Sequence, residues 1–295
     1  MNNMFICICT YKRPEALQRL LASLRNITLI NQKNIGILIV DNDPDGSSKN
    51  IVEKIDSVIY FIETERGISS ARNRCISEAK KLSAEWIIFL DDDEIATETW
   101  LESLLYTQLE FNARIVCGPV ITNLPSHLSI YRSFMTRSRH ANGTKIYYFG
   151  AGNLLVNMGV FEEVGGFSLD YSFSGGEDTH FSARCQKMGI DAIWSDNAII
   201  YEPIDLKRAN DDWIIKRALN SSIIIGRVEK ELFKHKVMRR FIIGSVLIIL
   251  GILMFPVEVI ANRLHMHKTQ LTLRKQRNSG LGMVLGTLGI KKAFY

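Results

Sequence analysis

Three aspartates and a glutamate stand in a row at Asp91-Asp92-Asp93-Glu94, directly after the apolar run Trp86-Ile87-Ile88-Phe89-Leu90. Like charges at adjacent positions repel, so solvent or a cation must make the arrangement tolerable. Carboxylate oxygens are what Mg2+ or Mn2+ prefers, and such an ion commonly binds through one or two carboxylates plus substrate phosphates. The plainer alternative is an acidic loop in water. A second acidic pair, Glu177-Asp178 in "GGEDTHF", follows two glycines and opens a helical pattern. It could supply a general base for a hydroxyl nucleophile, or simply cap a helix at the favourable end of its dipole.

The elements that would hold these groups are legible as an alternation. "MFICICT" (4–10) reads as a buried strand, and "YKRP" leads into a helix with Leu17, Leu20, Leu21 and Leu24 on one face. "IGILIV" (35–40), "VIYFIET" (58–64) and "EWIIFL" (85–90) read as three more strands. Helices are expected from "IVEKI", from "GISSARNRCISEAKKL" (67–82) and from "TWLESLLYTQLEF". Strands alternating with helices predict an α/β fold with a doubly wound, mainly parallel sheet. Ligands bind such sheets beyond the carboxyl ends of the strands, and Thr10-Tyr11, Asp41 and Asp91–Asp93 all sit there. Past residue 114 the pattern loosens. "ARIVCGPV" suggests a strand, "YYFGAGNLLVNMGVFEEVGGF" a strand with turns, "EDTHFSARCQKMG" a helix, and "IDAIWSDNAIIYEP" one or two short closing strands.

Composition divides the chain. Residues 1–205 carry 19 Lys+Arg against 26 Asp+Glu, whereas residues 206–295 carry 17 against 5. This predicts an acidic front domain (1–205) and a basic, helical rear region (206–295). The five cysteines are scattered, with no zinc spacing, and read as small buried hydrophobes. The N-terminal stretch lacks a basic leader and its apolar run is short before Lys12-Arg13, so the front domain is expected in the cytoplasm.

Six segments in order, "CICTYKRPEALQRLLASL", "ILIVDNDPDG", "RGISSARNRCISEA", "FLDDDE", "GAGNLLV" and "GGEDTHFSARCQKMG", make residues 4–205 resemble a family 2 glycosyltransferase. The likeness is greatest to the bacterial polysaccharide-assembly branch that includes succinoglycan glucosyltransferases. The resemblance implies a glycosyltransferase A-type (GT-A), Rossmann-like fold, a nucleotide-diphosphate sugar donor, a divalent cation (Mg2+ or Mn2+) and inversion at the anomeric carbon. It places Thr10 and Tyr11 at the nucleotide base, Asp41 as an acceptor of hydrogen bonds from that base, and Arg72 near the phosphates. Asp93 becomes the direct metal ligand and Asp91 a ribose or metal contact, while the roles of Asp92 and Glu94 stay unseparated. Asp178 becomes the general base, with Gly152, Asn153, Gly176 and Glu177 on the acceptor side. Arg13 reads equally as a phosphate or base contact and as a solvated helix-entry charge. "GAGN" (150–153) reads as a floor for the donor sugar or as a tight turn. Glu202 stands where relatives place a group near the metal, though a direct ligand role is doubtful. His140, His180 and Trp194 read as structural.

In the rear region, Phe241 to Val257 is an uncharged run of seventeen residues, at the low limit for crossing a bilayer. Basic residues flank it on both sides and Pro256 interrupts it, which favours a re-entrant or interfacial membrane element with both ends cytoplasmic over a single span. A second run, 280–290, would be its returning partner or a surface segment. The basic residues bracket apolar runs rather than interleaving with aromatics, which argues against nucleic acid as a partner. The expected function is transfer of one sugar to a polyprenyl-diphosphate-linked oligosaccharide at the cytoplasmic face of the inner membrane. The alternatives are a sugar-nucleotide nucleotidyltransferase, which would want a Gly-rich phosphate loop after the first strand, and a non-catalytic membrane-bound scaffold.

Overall fold

The computed structural model describes residues 3–32, 35–53, 55 and 58–291, so Lys54, within the helix expected from "IVEKI", lies outside the described residues. The chain forms two compact units. The first comprises Met1–Asn123, Arg137–Phe173 and His180–Pro203. The second comprises Ile204–Tyr295 together with two segments drawn from the front of the sequence, Leu124–Thr136 and Ser174–Thr179.

In the first unit, strands β1 (Met4–Thr10), β2 (Gly36–Asp41), β3 (Val58–Ile62) and β4 (Trp86–Asp91) pair in parallel in the order β3-β2-β1-β4. The interiors of β1, β2 and β4 are continuous apolar runs because both faces of the sheet are covered there, whereas β3 at the edge is half-buried. One face packs on α1 (Pro14–Arg25), whose Leu17, Leu20, Leu21 and Leu24 are all buried, and on Trp100, Leu101 and Leu104. Beyond β4 the sheet continues through β9 (Leu154–Asn157), β6 (Ile115–Cys117), β10 (Ala192–Trp194) and β8 (Lys145–Ile146). Strand β9 runs antiparallel between β4 and β6, which makes the sheet mixed in its second half. A smaller sheet orders β5 (Ile95–Ala96), β11 (Ile200–Pro203) and β7 (Val120–Asn123). Of the helices after α1, α2 (Thr28–Gln32) and α3 (Lys49–Val52) are short, whereas α4 (Ile68–Lys81) and α5 (Trp100–Glu110) match the expected periodic stretches. Helix α6 (Arg132–Met135) belongs to the second unit, α7 (Met158–Val164) to the first, and α8 (Glu177–Lys187) begins in the second unit and continues in the first from His180.

The second unit is helical: α9 (Asp211–Leu232), α10 (Lys234–Leu253), α11 (Phe255–Arg263) and α12 (His267–Leu288). Run 280–290 is therefore mostly the end of a long helix. That helix packs closely on α9 at a glycine pair, where a Cβ on Gly226 would lie 2.9 Å from the Cα of Gly286. Among the described residues no single helix is long and apolar enough to cross a membrane. The pair α10 and α11, bent by 50° at the break, reaches that length and composition together.

Candidate active site

The sheet register builds the site. Thr10 lies opposite Asp41, and Cys9 opposite Asp91, so the last residues of β1, β2 and β4 end at one edge. Three loops extend from that edge. Thr10 donates its hydroxyl to Asp92 Oδ2 at 2.8 Å. Arg13, at the entry to α1, reaches back to Asp93 Oδ2 at 3.0 Å and Asp92 Oδ1 at 3.4 Å. From α4, the buried Arg72 meets Asp91 Oδ1 at 2.9 Å, with its guanidinium 5.5 Å from the centre of the Phe167 ring. Thr10, Arg72 and Asp91–Asp93, which the resemblance assigns to the donor, are brought together, and Arg13, open between a donor contact and a solvated charge, joins them.

The acidic tetrad divides by orientation. Asp91 and Asp93 are partly exposed, whereas Asp92 and Glu94 are buried. Burial pushes the Asp92 carboxyl up to about 6, against the opposing pull of Thr10 and Arg13. Burial, and next the charge of Asp91, push Glu94 well above the ordinary carboxylate range. Glu94 Oε2 accepts from the Asp91 backbone N–H at 2.9 Å, so it fixes the backbone that presents Asp91. Gly152 is packed against this pair, since a Cβ there would stand 2.5 Å from Glu94 Oε1 and 3.0 Å from Asp91 Oδ2.

Tyr11 stands exposed beside Thr10. Its hydroxyl accepts from Arg66 at 3.0 Å, and the Arg66 guanidinium lies 5.2 Å from its ring centre. Arg66 escaped the sequence reading, as did Asn42. The Asn42 amide donates to the carbonyls of Glu63 and Glu65 and accepts from the Gly67 N–H, which fixes the loop that carries Arg66. An asparagine directly after a strand-terminal aspartate was the available signal.

Two expected ligand contacts take a different form. Asp41 is fully buried and accepts from the Asp43 and Ser48 N–H groups and the Tyr60 hydroxyl, at 3.0, 2.8 and 2.8 Å. These bonds hold the turn after β2. Burial, and then the bond to Asp41, push the Tyr60 phenol up. Asn153, expected on the acceptor side, is 0% exposed and has a positive φ of +58°. Its Oδ1 accepts from Trp100 Nε1 at 2.7 Å, and its Nδ2 donates to the carbonyls of Pro119 and Ala198 at 3.1 and 2.7 Å. The requirement to satisfy buried polar groups makes Asn153 a structural hub.

Gly176, Glu177 and Asp178 belong to the second unit. Gly176 has φ +88°, and Glu177 is buried. Asp178, half-buried in the first turn of α8, holds its Oδ1 against the N–H and hydroxyl of Thr179 at 2.6 and 3.2 Å. Elsewhere, Glu202 pairs with Arg137 at 3.0 Å, His180 stacks on Tyr171, and Trp194 is buried against His140. The cysteines are free thiols, four buried and Cys9 half-buried.

A strand edge that gathers carboxylates and guanidinium groups in a doubly wound fold fits an enzyme acting on a phosphorylated donor. The chain belongs to glycosyl transferase family 2, whose family model matches residues 5–165, and it is a nucleotide-sugar-dependent glycosyltransferase. It is 31% identical over 236 residues to the succinoglycan biosynthesis protein ExoM of Rhizobium meliloti (strain 1021), covering 77% of this chain and 75% of that one. It is 26% identical over 119 residues to the poly(ribitol-phosphate) beta-N-acetylglucosaminyltransferase TarP of Staphylococcus aureus (strain N315), covering 40% and 36%. Among solved structures, S. aureus TarS 1-349 in complex with UDP-GlcNAc aligns with a TM-score of 0.55 at 12% identity, over 95% of this chain and 90% of that one. The mannosyltransferase PcManGT from Pyrobaculum calidifontis, in complex with GDP-Man and Mn2+, aligns with a TM-score of 0.57 at 19% identity, over 75% and 62%. These likenesses make the fold GT-A-like.

Proposed function

We propose that this enzyme moves one sugar from a nucleotide-diphosphate donor to a lipid-linked oligosaccharide, with inversion, in the assembly of a bacterial surface polysaccharide at the cytoplasmic face of the membrane. The observation that carries the reading is the convergence of Thr10, Arg13, Arg72 and Asp91–Asp93 at the carboxyl edge of β1 and β4. The likeness to ExoM supports the polysaccharide context, and the exposed apolar surface of α10 and α11 supports a lipid-linked acceptor.

A divalent cation fits the residues present. Asp91 and Asp93 are hard oxygen donors on the partly exposed side of the tetrad. Among the described residues no group of three or more His, Cys, Asp or Glu side chains is arranged to hold a metal, so an ion on Asp91 and Asp93 would have to complete its shell with water and donor phosphates. Asp93, with Asp91, would hold it, and its charge would offset that of the departing diphosphate. Arg13 and Arg72 add fixed positive charge at the same edge. In the transfer, the acceptor oxygen forms a bond to the anomeric carbon as the bond from that carbon to the diphosphate oxygen breaks. The electron pair of that bond leaves with the nucleoside diphosphate, and the hydroxyl proton passes to the Asp178 carboxylate.

Two variants test this division. Asp93→Ala should abolish metal-dependent donor binding measured by calorimetry, whereas Asp178→Asn should bind the donor nearly as tightly and lose transfer. Wild-type turnover by Asp178→Asn would remove it as the base.

A further inference from the structure

On α10 the face turned to α12 is built from close approaches. A Cβ on Gly244 would lie 2.8 Å from the Gly280 carbonyl, and one on Gly251 would lie 2.8 Å from Arg277 Cβ. The two helices therefore run antiparallel, with Arg277 level with Gly251. The opposite face of α10 carries Ile242, Val246, Ile249, Leu250 and Leu253 at helical spacing, each 47–68% exposed. Val257 and Ile260 on α11, and Leu264 directly after it, extend the exposed apolar surface at 39–63% exposure. Between Phe233 and Lys268 the one acidic residue is Glu258. It is turned away from this surface and buried, paired with Arg277 at 2.9 Å and Arg274 at 4.0 Å. Exposed Lys234 and Arg239 stand before the apolar stripe, and exposed Arg263 and Lys268 stand after it.

We propose that this stripe lies in the plane of an anionic bilayer without crossing it. Its apolar side chains would sit below the headgroups, with Lys234, Arg239, Arg263 and Lys268 at the lipid phosphates. The proposal deepens the membrane reading above and rests on it. Charge decides the occupant: a stripe bracketed by cations, with its only acid turned inward, matches an apolar layer edged by phosphates. Geometry decides the orientation. From Arg240 to Gly251 a helix rises about 17 Å, near the middle of a hydrocarbon core about 30 Å thick. If α10 crossed, Arg277 would stand at that depth, where a charged side chain is strongly disfavoured. Basic residues at both ends also favour keeping both on one side of the bilayer. Lying flat, α10 keeps α12 and its Arg274, Lys275 and Arg277 on the watery side of the stripe.

Flotation of the full-length protein with phosphatidylcholine vesicles, with and without 30% phosphatidylglycerol, tests the proposal. Binding should require the anionic lipid and fall at least tenfold in 0.5 M salt. The double variant Ile249→Glu, Leu253→Glu should lose at least tenfold in vesicle binding while keeping its far-UV circular dichroism and donor binding. A bimane label on Ile249→Cys should be quenched more by lipids spin-labelled near the headgroup than by lipids labelled near the chain end. Deeper quenching, or full binding by the double variant, would overturn the in-plane seat and leave the membrane reading standing. No flotation with either vesicle would sink both. Dimers of the wild type that the double variant dissolves, without vesicle binding, would give the face to a second copy of the chain and also overturn the proposal.

Discussion

Replacing Asn153 separates a structural hub from an acceptor contact, because the two roles predict opposite readouts. Asn153→Ala removes the acceptor for Trp100 Nε1 and the donors to the Pro119 and Ala198 carbonyls. The Pro119 carbonyl still accepts from the Ile200 N–H, so that group keeps a partner. The Trp100 N–H and the Ala198 carbonyl are left buried, at about 1–3 kcal/mol each. Alanine at φ +58° adds roughly 1 kcal/mol, since its Cβ crowds the carbonyl in a left-handed conformation. The expected loss is about 3–7 kcal/mol, a large share of a typical domain's stability. Asn153→Gly loses the same bonds without the backbone cost, so it should be about 1 kcal/mol less damaging than alanine. Urea unfolding followed by tryptophan fluorescence suits the measurement, because Trp86, Trp100 and Trp194 report on the first unit and only Trp213 on the second. A loss below about 1 kcal/mol in both variants would refute the reasoning. Unchanged stability with a raised KM for acceptor alone would return Asn153 to the acceptor side.

Gly152→Ala should fold but lose about 10- to 100-fold in kcat/KM, because Glu94 is enclosed and Asp91 must shift by several tenths of an ångström. Steady-state kinetics within twofold of wild type would contradict that. Asp92 predicts a stability slope. Its folded carboxyl titrates near 6 against an ordinary 3.8, so the folded chain holds the proton longer than the unfolded one. Its contribution is fully present below pH 4 and is lost as pH rises to above 6, with a ceiling of about 3 kcal/mol. Unfolding in a chelator across that range should show Asp92→Asn gaining steadily on the wild type, and parallel pH profiles would refute the assignment.

The parallel half of the sheet was legible because its determinants are local. The strands read at 4–10, 35–40, 58–64 and 85–90 are found at Met4–Thr10, Gly36–Asp41, Val58–Ile62 and Trp86–Asp91. Apolar runs long enough to be buried on both faces, punctuated by Pro14, Gly46 and Gly67, need no tertiary information. What was hidden depends on partners distant in sequence. The antiparallel insertion of β9 between β4 and β6 is set by pairing across more than thirty residues on either side. Asp41 and Asn153 carry the same side-chain chemistry whether they face a ligand or a buried loop, and only the fold enclosing them decides. The two segments that join the helical unit, 124–136 and 174–179, likewise carry no change of composition that marks them.

The acidic tetrad shows how local and distant information combine. Side chains of an extended backbone alternate, and Asp91, Asp92, Asp93 and Glu94 keep that period of two through the turn after β4: outward, inward, outward, inward. The inward pair is absorbed by the protein, Asp92 by Thr10 and Arg13, Glu94 by the Asp91 N–H. Burial raises both inward carboxyls, which favours their neutral forms and lowers the charge that crowds the strand end. Two outward carboxylates then stand against two guanidinium groups, Asp91 with Arg72 and Asp93 with Arg13. Were Asp91 and Asp93 to hold a divalent cation as proposed, Arg72 and Arg13 would stand beside it with fixed positive charge for the donor phosphates. The repulsion between four consecutive acids is thus divided, with two carboxyls favoured in their neutral forms by burial and two paired with guanidinium groups.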